Sequence, residues 1–80
     1  MYYIYLIRSE SFPDQTYIGF TTNVDERLKK HNHHSSLHTK KFAPWTLVSY
    51  IAFDSKKKAL DFEQYIKAGS GYAFAKKRLW

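Results

Sequence analysis

Four side chains in this sequence have the chemistry to bind a phosphate group and to move protons beside it. Arg27 and His31 are four residues apart, so a helix would carry them on one face. Arginine holds phosphate through two parallel hydrogen bonds, and histidine exchanges a proton near neutral pH. Tyr5 and Tyr17 lie in two short apolar runs before this pair. Taken alone, an arginine–histidine pair is more often an ordinary exposed helix face.

Glu63 lies at the edge of an apolar stripe, between Phe62 and Ile66 of a predicted helix. A carboxylate in such a position forms an ion pair, extends into solvent or binds a cation. An ion pair with Lys67, four residues on, would contribute only about 0.3–0.5 kcal/mol. The residues alone therefore leave both the ion pair and the cation site open.

A cluster of histidines raises the question of a zinc site: His31, His33, His34 and His38. Their spacing is irregular, the stretch is typical of a loop, and no thiolate or nearby carboxylate completes a ligand set. We therefore predict no zinc here. The sequence contains no cysteine, which excludes zinc ribbons and iron–sulfur sites and fits a reducing compartment.

Length and charge narrow the class of protein. A chain of 80 residues forms one compact domain, too small for a Rossmann enzyme, a barrel or a two-domain enzyme. Its formal net charge of +6 suits DNA, RNA or an anionic membrane surface, although a basic surface can also serve solubility alone. No segment approaches the roughly 18 apolar residues of a membrane span. The apolar start lacks the features of a signal peptide, so we expect a cytoplasmic protein.

Apolar and aromatic runs predict three strands. Residues 2–7 and 16–20 are rich in strand formers and flank a loop at 9–15, so they should pair as a hairpin. Residues 46–53 form a third strand, and its nearly continuous apolarity predicts burial on both faces.

Apolar residues at helical spacing predict helices in most of the remaining chain. Asn23 is predicted to cap a first helix, and residues 33–41 are expected to form a polar loop. A second helix is predicted over 55–68, ended by the glycine-rich residues 69–71, and residues 72–80 form a last short helix. The order β-β-α-β-α-α predicts an α+β sandwich in which helices pack on a small sheet.

Strand alternation places the two tyrosines on one face of the hairpin. If Ile4 and Ile18 face one core layer, Tyr5 and Tyr17 emerge together on the other side. Gly19 then leaves a gap beside them, and glycine inside a strand often marks the close approach of a ligand or a backbone. The alternative is that both tyrosines simply pack at the sheet edge under a helix.

In combination, these residues resemble the GIY-YIG nuclease family. Tyr3-Ile4-Tyr5 and Tyr17-Ile18-Gly19, with eleven residues between them, resemble its two-part signature. Arg27 follows Tyr17 by ten residues, as in that family, and His31-Asn32 follows as in its small stand-alone members. Glu63 occupies the later helix in which the family keeps a metal-binding glutamate.

The resemblance extends over nearly the whole chain. The segment Lys67–Phe74 is similar to the tail of the small members. Three features depart from the family pattern. Tyr3 replaces the first glycine of the signature, Phe20 stands where many members have Lys or Ser, and no Asn follows Asn32.

The resemblance implies a three-stranded antiparallel sheet flanked by helices and metal-dependent cleavage of DNA phosphodiester bonds, as in excision repair. Glu63 would hold one Mg²⁺ or Mn²⁺ ion, together with waters and a phosphate oxygen. Tyr5 or Tyr17 would orient or deprotonate the attacking water. Arg27 would bind the scissile phosphate and supply positive charge, and His31 would assist proton transfer or hold the phosphate.

The partner expected from the resemblance is DNA, with RNA left open and no membrane. Gly19 would keep the sheet surface accessible to the nucleic-acid backbone. Residues 1–80 would form a single nuclease domain, and a protein partner or a dimer would supply substrate recognition. Basic residues expected to contact phosphates are Lys40, Lys41, Lys56, Lys57, Lys76, Lys77 and Arg78.

Two other functions compete with the nuclease. A nucleic-acid-binding module without catalysis would use the same basic residues together with exposed tyrosines for stacking. A structural or protein-interaction domain would show no salt-dependent affinity for DNA or RNA. Because Tyr5, Tyr17, Arg27, His31 and Glu63 are all present, a competent nuclease site is the favoured interpretation.

Overall fold

An antiparallel sheet lies at the centre of the protein. The computed structural model describes residues 1–33 and 37–80, without the side chains of residues 37 and 38. In this described part the sheet has three strands, in the order β2-β1-β3. They are β1 (Tyr2–Ser9), β2 (Thr16–Thr21) and β3 (Trp45–Phe53). The predicted hairpin is confirmed, since β1 and β2 pair directly through a short loop.

The central strand β1 is buried on both faces because it has a partner strand on each side and helices above and below. Ile4 and Leu6 face one layer, and Tyr5 and Ile7 face the other. All four side chains are almost fully buried. The sequence alternation of β1 thus supplies two separate small cores.

Four helices cover the two faces of the sheet in the described part of the chain. The N-cap predicted at Asn23 is confirmed, and Ser55 caps the helix that follows the third strand. The Asn23 side chain accepts a hydrogen bond from the Glu26 amide at 3.0 Å, and the Ser55 hydroxyl accepts one from the Lys58 amide at 3.3 Å. The helices are α1 (Val24–Asn32), α2 (Leu37–Lys40), α3 (Lys56–Ile66) and α4 (Gly69–Arg78). None of these helices is long and apolar enough to cross a membrane.

The helices pack against the two cores on opposite faces of the sheet. Ala59 and Ile66 of α3 and Ala75 of α4 are buried against the Ile4 and Leu6 face. On the opposite face, α1 packs beside Tyr5 and Ile7, and Trp45 at the start of β3 completes the layer. The helix α1, with its charged and polar side chains, therefore lies over Tyr5.

The prediction of a loop over residues 33–41 was wrong for residues 37–40, which form the single-turn helix α2. Its Thr39 is buried, and the Thr39 carbonyl accepts a hydrogen bond from the Trp45 indole at 2.9 Å. This turn is held by contacts distant in sequence, which a local polar pattern does not reveal.

Two further features differ from the sequence predictions. The strand β3 is not buried on both faces, since Trp45 is its only buried residue and Tyr50 is 54% exposed. The helix α3 ends at Ile66, before the predicted stop. Gly69, with φ of 59°, turns the chain into α4, so residues 69–71 begin that helix.

Candidate active site

A buried hydrogen-bonded cluster forms where α1 covers β1. The Tyr5 side chain is 1% exposed and His31 is 3% exposed. The Tyr5 hydroxyl lies 2.8 Å from His31 Nε2, and Arg27 Nε donates to the same hydroxyl at 3.3 Å. The four-residue spacing on α1 thus brings Arg27 and His31 to one tyrosine oxygen.

Tyr17 joins this cluster from the neighbouring strand. It pairs with Ile7 across the β1–β2 hairpin and is only half-buried. Its ring centroid lies 6.1 Å from that of Tyr5 and 5.1 Å from that of His31. The structure therefore places Tyr5, Tyr17, Arg27 and His31 together, on the sheet face that strand alternation predicted.

The hydrogen bonds indicate where the protons lie. Arg27 Nε can only donate, so the Tyr5 oxygen accepts from it, and the Tyr5 proton points to His31 Nε2. A neutral His31 then carries its own proton on Nδ1, which lies 2.9 Å from the Thr39 hydroxyl oxygen. This tautomer is assigned from the network of partners. Thr39 was missed by sequence reasoning because nothing in its polar surroundings distinguishes it.

The electrostatics of the cluster keep Tyr5 neutral and Arg27 charged. Burial raises the pKa of Tyr5, and the hydrogen bond from Arg27 opposes that shift. The same hydrogen bond raises the pKa of Arg27. Tyr5 is therefore a neutral hydrogen-bonding group near neutral pH, and the positive charge of the cluster lies on the exposed Arg27.

Glu63 lies on α3, and its side chain is 18% exposed. Its carboxylate is close enough to Tyr5 to raise the pKa of that hydroxyl further. Glu63 Oε2 also contacts Lys67 Nζ at 3.0 Å, so the ion pair considered from the sequence is present. A cation bound by Glu63 would compete with Lys67 for this oxygen.

The donor set at Glu63 fits a hard cation and does not fit a zinc centre. Among the residues that the structure describes, no three His, Cys, Asp or Glu side chains converge on one point. Magnesium is commonly bound through one or two carboxylates, with waters and substrate phosphate completing its octahedron. A single, largely buried carboxylate whose charge acts on Tyr5 suits that mode. Of the four-histidine cluster, His34 and the side chain of His38 lie outside the described residues.

The gap predicted at Gly19 is filled from within the protein. Gly19 pairs with Tyr5 across the hairpin and is buried. A Cβ atom at position 19 would lie 2.5 Å from Tyr5 Cζ and 2.8 Å from Tyr5 Cε1. The expectation of an open surface at Gly19 was therefore wrong, because the missing side chain makes room for the Tyr5 ring.

The predicted basic contacts are distributed over three helices. Lys40 ends α2 and Lys41 follows it, a second pair begins α3, and three basic residues end α4. Lys57 is paired with Asp61 at 2.8 Å, which leaves its charge partly compensated. All of these side chains are exposed: Lys40, Lys41, Lys56, Lys57, Lys76, Lys77 and Arg78.

Comparison with known proteins agrees with this geometry. A sequence model described as the GIY-YIG catalytic domain matches residues 1–75. The chain belongs to the GIY-YIG family. Its fold is confirmed by the solution structure of the UPF0213 protein BH0048 from Bacillus halodurans. That structure is 32% identical with a TM-score of 0.54, and the match covers 95% of this chain and 81% of that one.

Relatives of two kinds are similar to this chain. The UPF0213 protein BH0048 of Halalkalibacterium halodurans is 34% identical over 67 residues, which span 82% of this chain and 69% of the relative. The structure-specific endonuclease subunit SLX1 of Malassezia globosa is 42% identical over 67 residues, spanning 79% of this chain. That of Debaryomyces hansenii is 38% identical over 73 residues. The chain spans only 15% and 21% of the two SLX1 proteins.

The chain is thus similar to a catalytic domain and to parts of proteins named as structure-specific endonuclease subunits. The family implies the use of a divalent metal ion. That Glu63 holds such an ion stays a prediction from the resemblance.

Proposed function

We propose that residues 1–80 form a single nuclease domain that hydrolyses DNA phosphodiester bonds with one Mg²⁺ or Mn²⁺ ion. The observation that carries this proposal is the hydrogen-bonded group of Tyr5, Arg27 and His31 in a GIY-YIG catalytic domain. The endonuclease names of relatives in two yeasts add support.

Arg27 binds the scissile phosphate in this proposal. Its Nε atom is anchored on the Tyr5 hydroxyl, while the residue as a whole is exposed. An anchored guanidinium loses little conformational freedom when it binds an oxyanion, and its charge stabilises the negative charge that develops during displacement at phosphorus.

The two tyrosines take different roles because their exposure differs. Tyr5 is buried and neutral, so it cannot meet bulk water and serves to hold Arg27 and His31 in place. Tyr17 retains contact with solvent beside the same histidine, so it orients the attacking water. His31 accepts a hydrogen bond from the neutral Tyr5 hydroxyl through Nε2, and it is proposed to assist proton transfer.

Glu63 would hold the divalent ion, whose chemistry when bound is to polarise a phosphate oxygen and an attached water. A single protein carboxylate leaves the remaining positions for water and phosphate. For that reason Glu63 is the residue on which metal dependence rests.

Recognition of DNA is proposed to rest on phosphate contacts and on DNA shape. The exposed basic side chains near the ends of α2 and α4 and at the start of α3 supply phosphate contacts, which carry no base-sequence information. A protein partner or a second copy would supply further substrate selection, and RNA is tested as an alternative substrate.

The test is cleavage of labelled single-stranded, duplex, nicked, flapped and four-way DNA, and of an RNA hairpin, with Mg²⁺, Mn²⁺ or EDTA. Glu63→Gln should abolish metal-dependent cutting while the protein stays folded. Asp61→Asn is the matched control. Asp61 precedes Glu63 by two residues on α3 and forms its own i,i+4 ion pair, with Lys57, which the substitution breaks. The control should cut at the wild-type rate.

Two outcomes would contradict the proposal. One is equal cutting by Glu63→Gln and the wild type, which would remove the metal role of Glu63. The other is binding of these DNAs by the wild type without cutting in either metal, unchanged in Glu63→Gln. That result would favour the nucleic-acid-binding module.

A further inference from the structure

Thr39 is a buried polar residue beside the proposed site, and none of the functions discussed so far uses it. It is 1% exposed, and its hydroxyl oxygen lies 2.9 Å from His31 Nδ1. We infer that Thr39 is a positioning residue that holds His31 in the tautomer protonated on Nδ1, so that Nε2 faces Tyr5 as a hydrogen-bond acceptor. This inference rests on the proposed function for its effect on activity, but not for its effect on His31.

The choice of tautomer matters because His31 has a polar partner on each ring nitrogen. With the proton on Nδ1, His31 donates to Thr39 and accepts from Tyr5, and the Tyr5 oxygen accepts from Arg27. With the proton on Nε2, two donors would converge on the Tyr5 oxygen, and the buried Tyr5 proton would lose the His31 acceptor. Tyr5 and Arg27 thus favour the first arrangement, and the Thr39 oxygen sustains it by accepting the buried Nδ1 proton, which would otherwise be left without a partner there.

Thr39 is itself held in place by a closed chain of contacts. Its carbonyl accepts a hydrogen bond from the Trp45 indole at 2.9 Å. The Asn32 side chain donates to the Trp45 carbonyl at 3.1 Å and accepts from the Trp45 amide. Asn32 directly follows His31 on α1, so these contacts connect the Thr39 backbone to α1 through Trp45. Both the hydroxyl and the backbone of Thr39 are therefore held in position relative to His31.

The test compares Thr39→Val with Thr39→Ser. Valine keeps the shape of threonine and the backbone carbonyl that binds Trp45, but it removes the hydroxyl. Serine keeps the hydroxyl. Long-range ¹H–¹⁵N spectra of the imidazole report which His31 nitrogen carries the proton. We expect Nδ1 protonation in the wild type and in Thr39→Ser, and a shift toward the other tautomer in Thr39→Val.

Activity follows the same pattern. Cleavage of the preferred DNA should fall on the order of tenfold in Thr39→Val, which corresponds to the loss of one hydrogen bond, and should recover in Thr39→Ser. Thr46→Val is the matched control, since its hydroxyl binds only the exposed Glu10 side chain among described partners. It should change neither the spectrum nor the rate.

The inference is overturned if Thr39→Val keeps the wild-type His31 spectrum, or if the spectrum shifts while cleavage stays at the wild-type rate. A wild type that cuts no substrate would contradict the proposed function instead. In that case the imidazole spectra alone still decide whether Thr39 sets the His31 tautomer, so the two failures are distinguishable.

Discussion

Substitution of Gly19 by alanine separates two explanations of this glycine by the sign of its effect on stability. If Gly19 only kept a strand surface open, Gly19→Ala would restrict the unfolded chain and stabilise the protein by about 0.4–1 kcal/mol. In the structure the added Cβ would lie 2.5 Å from Tyr5 Cζ, well inside van der Waals contact. The Tyr5 ring would have to move.

The magnitude follows from the lack of space around Tyr5. The ring is buried between β1, β2 and α1, and its hydroxyl is held by His31 and Arg27. Overpacking at such a position costs about 1–3 kcal/mol. We therefore expect Gly19→Ala to lower the free energy of unfolding by that amount and to reduce DNA cleavage, because the displaced tyrosine carries Arg27 and His31 with it.

The assay is urea unfolding followed by tryptophan fluorescence, combined with DNA cleavage below the unfolding transition. Gly69→Ala is the stability control. Its φ of 59° makes alanine cost about 1–2 kcal/mol, yet a Cβ there meets no atom within 4 Å. It should lose stability without losing cleavage in the folded state. If Gly19→Ala is more stable than the wild type and binds DNA more weakly, Gly19 does not make room for the Tyr5 ring. That result would support the explanation that Gly19 keeps the strand surface open.

Three further predictions concern the same region. Because burial raises the pKa of Tyr5, this group contributes stability that is present below a pH of about 10 and is lost as the pH rises through the folded-state pKa. Urea unfolding of Tyr5→Phe should therefore lose less stability at alkaline pH than that of the wild type, and an equal loss in both proteins would contradict this. Asn32→Ala removes both side-chain hydrogen bonds to the Trp45 backbone. Urea unfolding should show a free energy of unfolding that is lower by about 1–3 kcal/mol. A smaller loss would mean that the Trp45 backbone finds other hydrogen-bond partners. Lys67→Met removes the ammonium group that competes with a metal ion for the Glu63 carboxylate. Mn²⁺ titrations of this variant should reach half-saturation at a lower Mn²⁺ concentration than those of the wild type. Weaker Mn²⁺ binding would show instead that Lys67 orients the carboxylate.

The positions of the two signature tyrosines were predictable because a hairpin is a local structure. Side chains alternate along each strand, and a short loop fixes which residues pair, so Tyr5 and Tyr17 were expected on one face. The four-residue spacing of Arg27 and His31 likewise fixed their common helix face. The family and the α+β fold inferred from these motifs are confirmed. The roles of the individual site residues stay predictions.

Other features depend on contacts between distant parts of the chain and left no local signal. The strand β3 carries a bulge, since Leu6 pairs with Ser49 while Ile7 pairs with Leu47, and Val48 is extra. The bulge places Leu47 and Trp45 in the core beside Tyr5. The apolar alternation of a sequence cannot reveal a bulge, because the extra residue exchanges the two faces of the strand for every residue that follows it.

Strand order assigns the two tyrosines their different environments. Tyr5 and Tyr17 stand in similar apolar runs and differ little as a sequence pattern. The order β2-β1-β3 places Tyr5 on the central strand, where α1 covers it, and Tyr17 on an edge strand, where it keeps contact with solvent. A buried hydroxyl is suited to hold other groups in position, and a half-exposed one is suited to meet water and substrate. The division of labour proposed for the two tyrosines therefore follows from the sheet topology, and the histidine and arginine of α1 link them into one site.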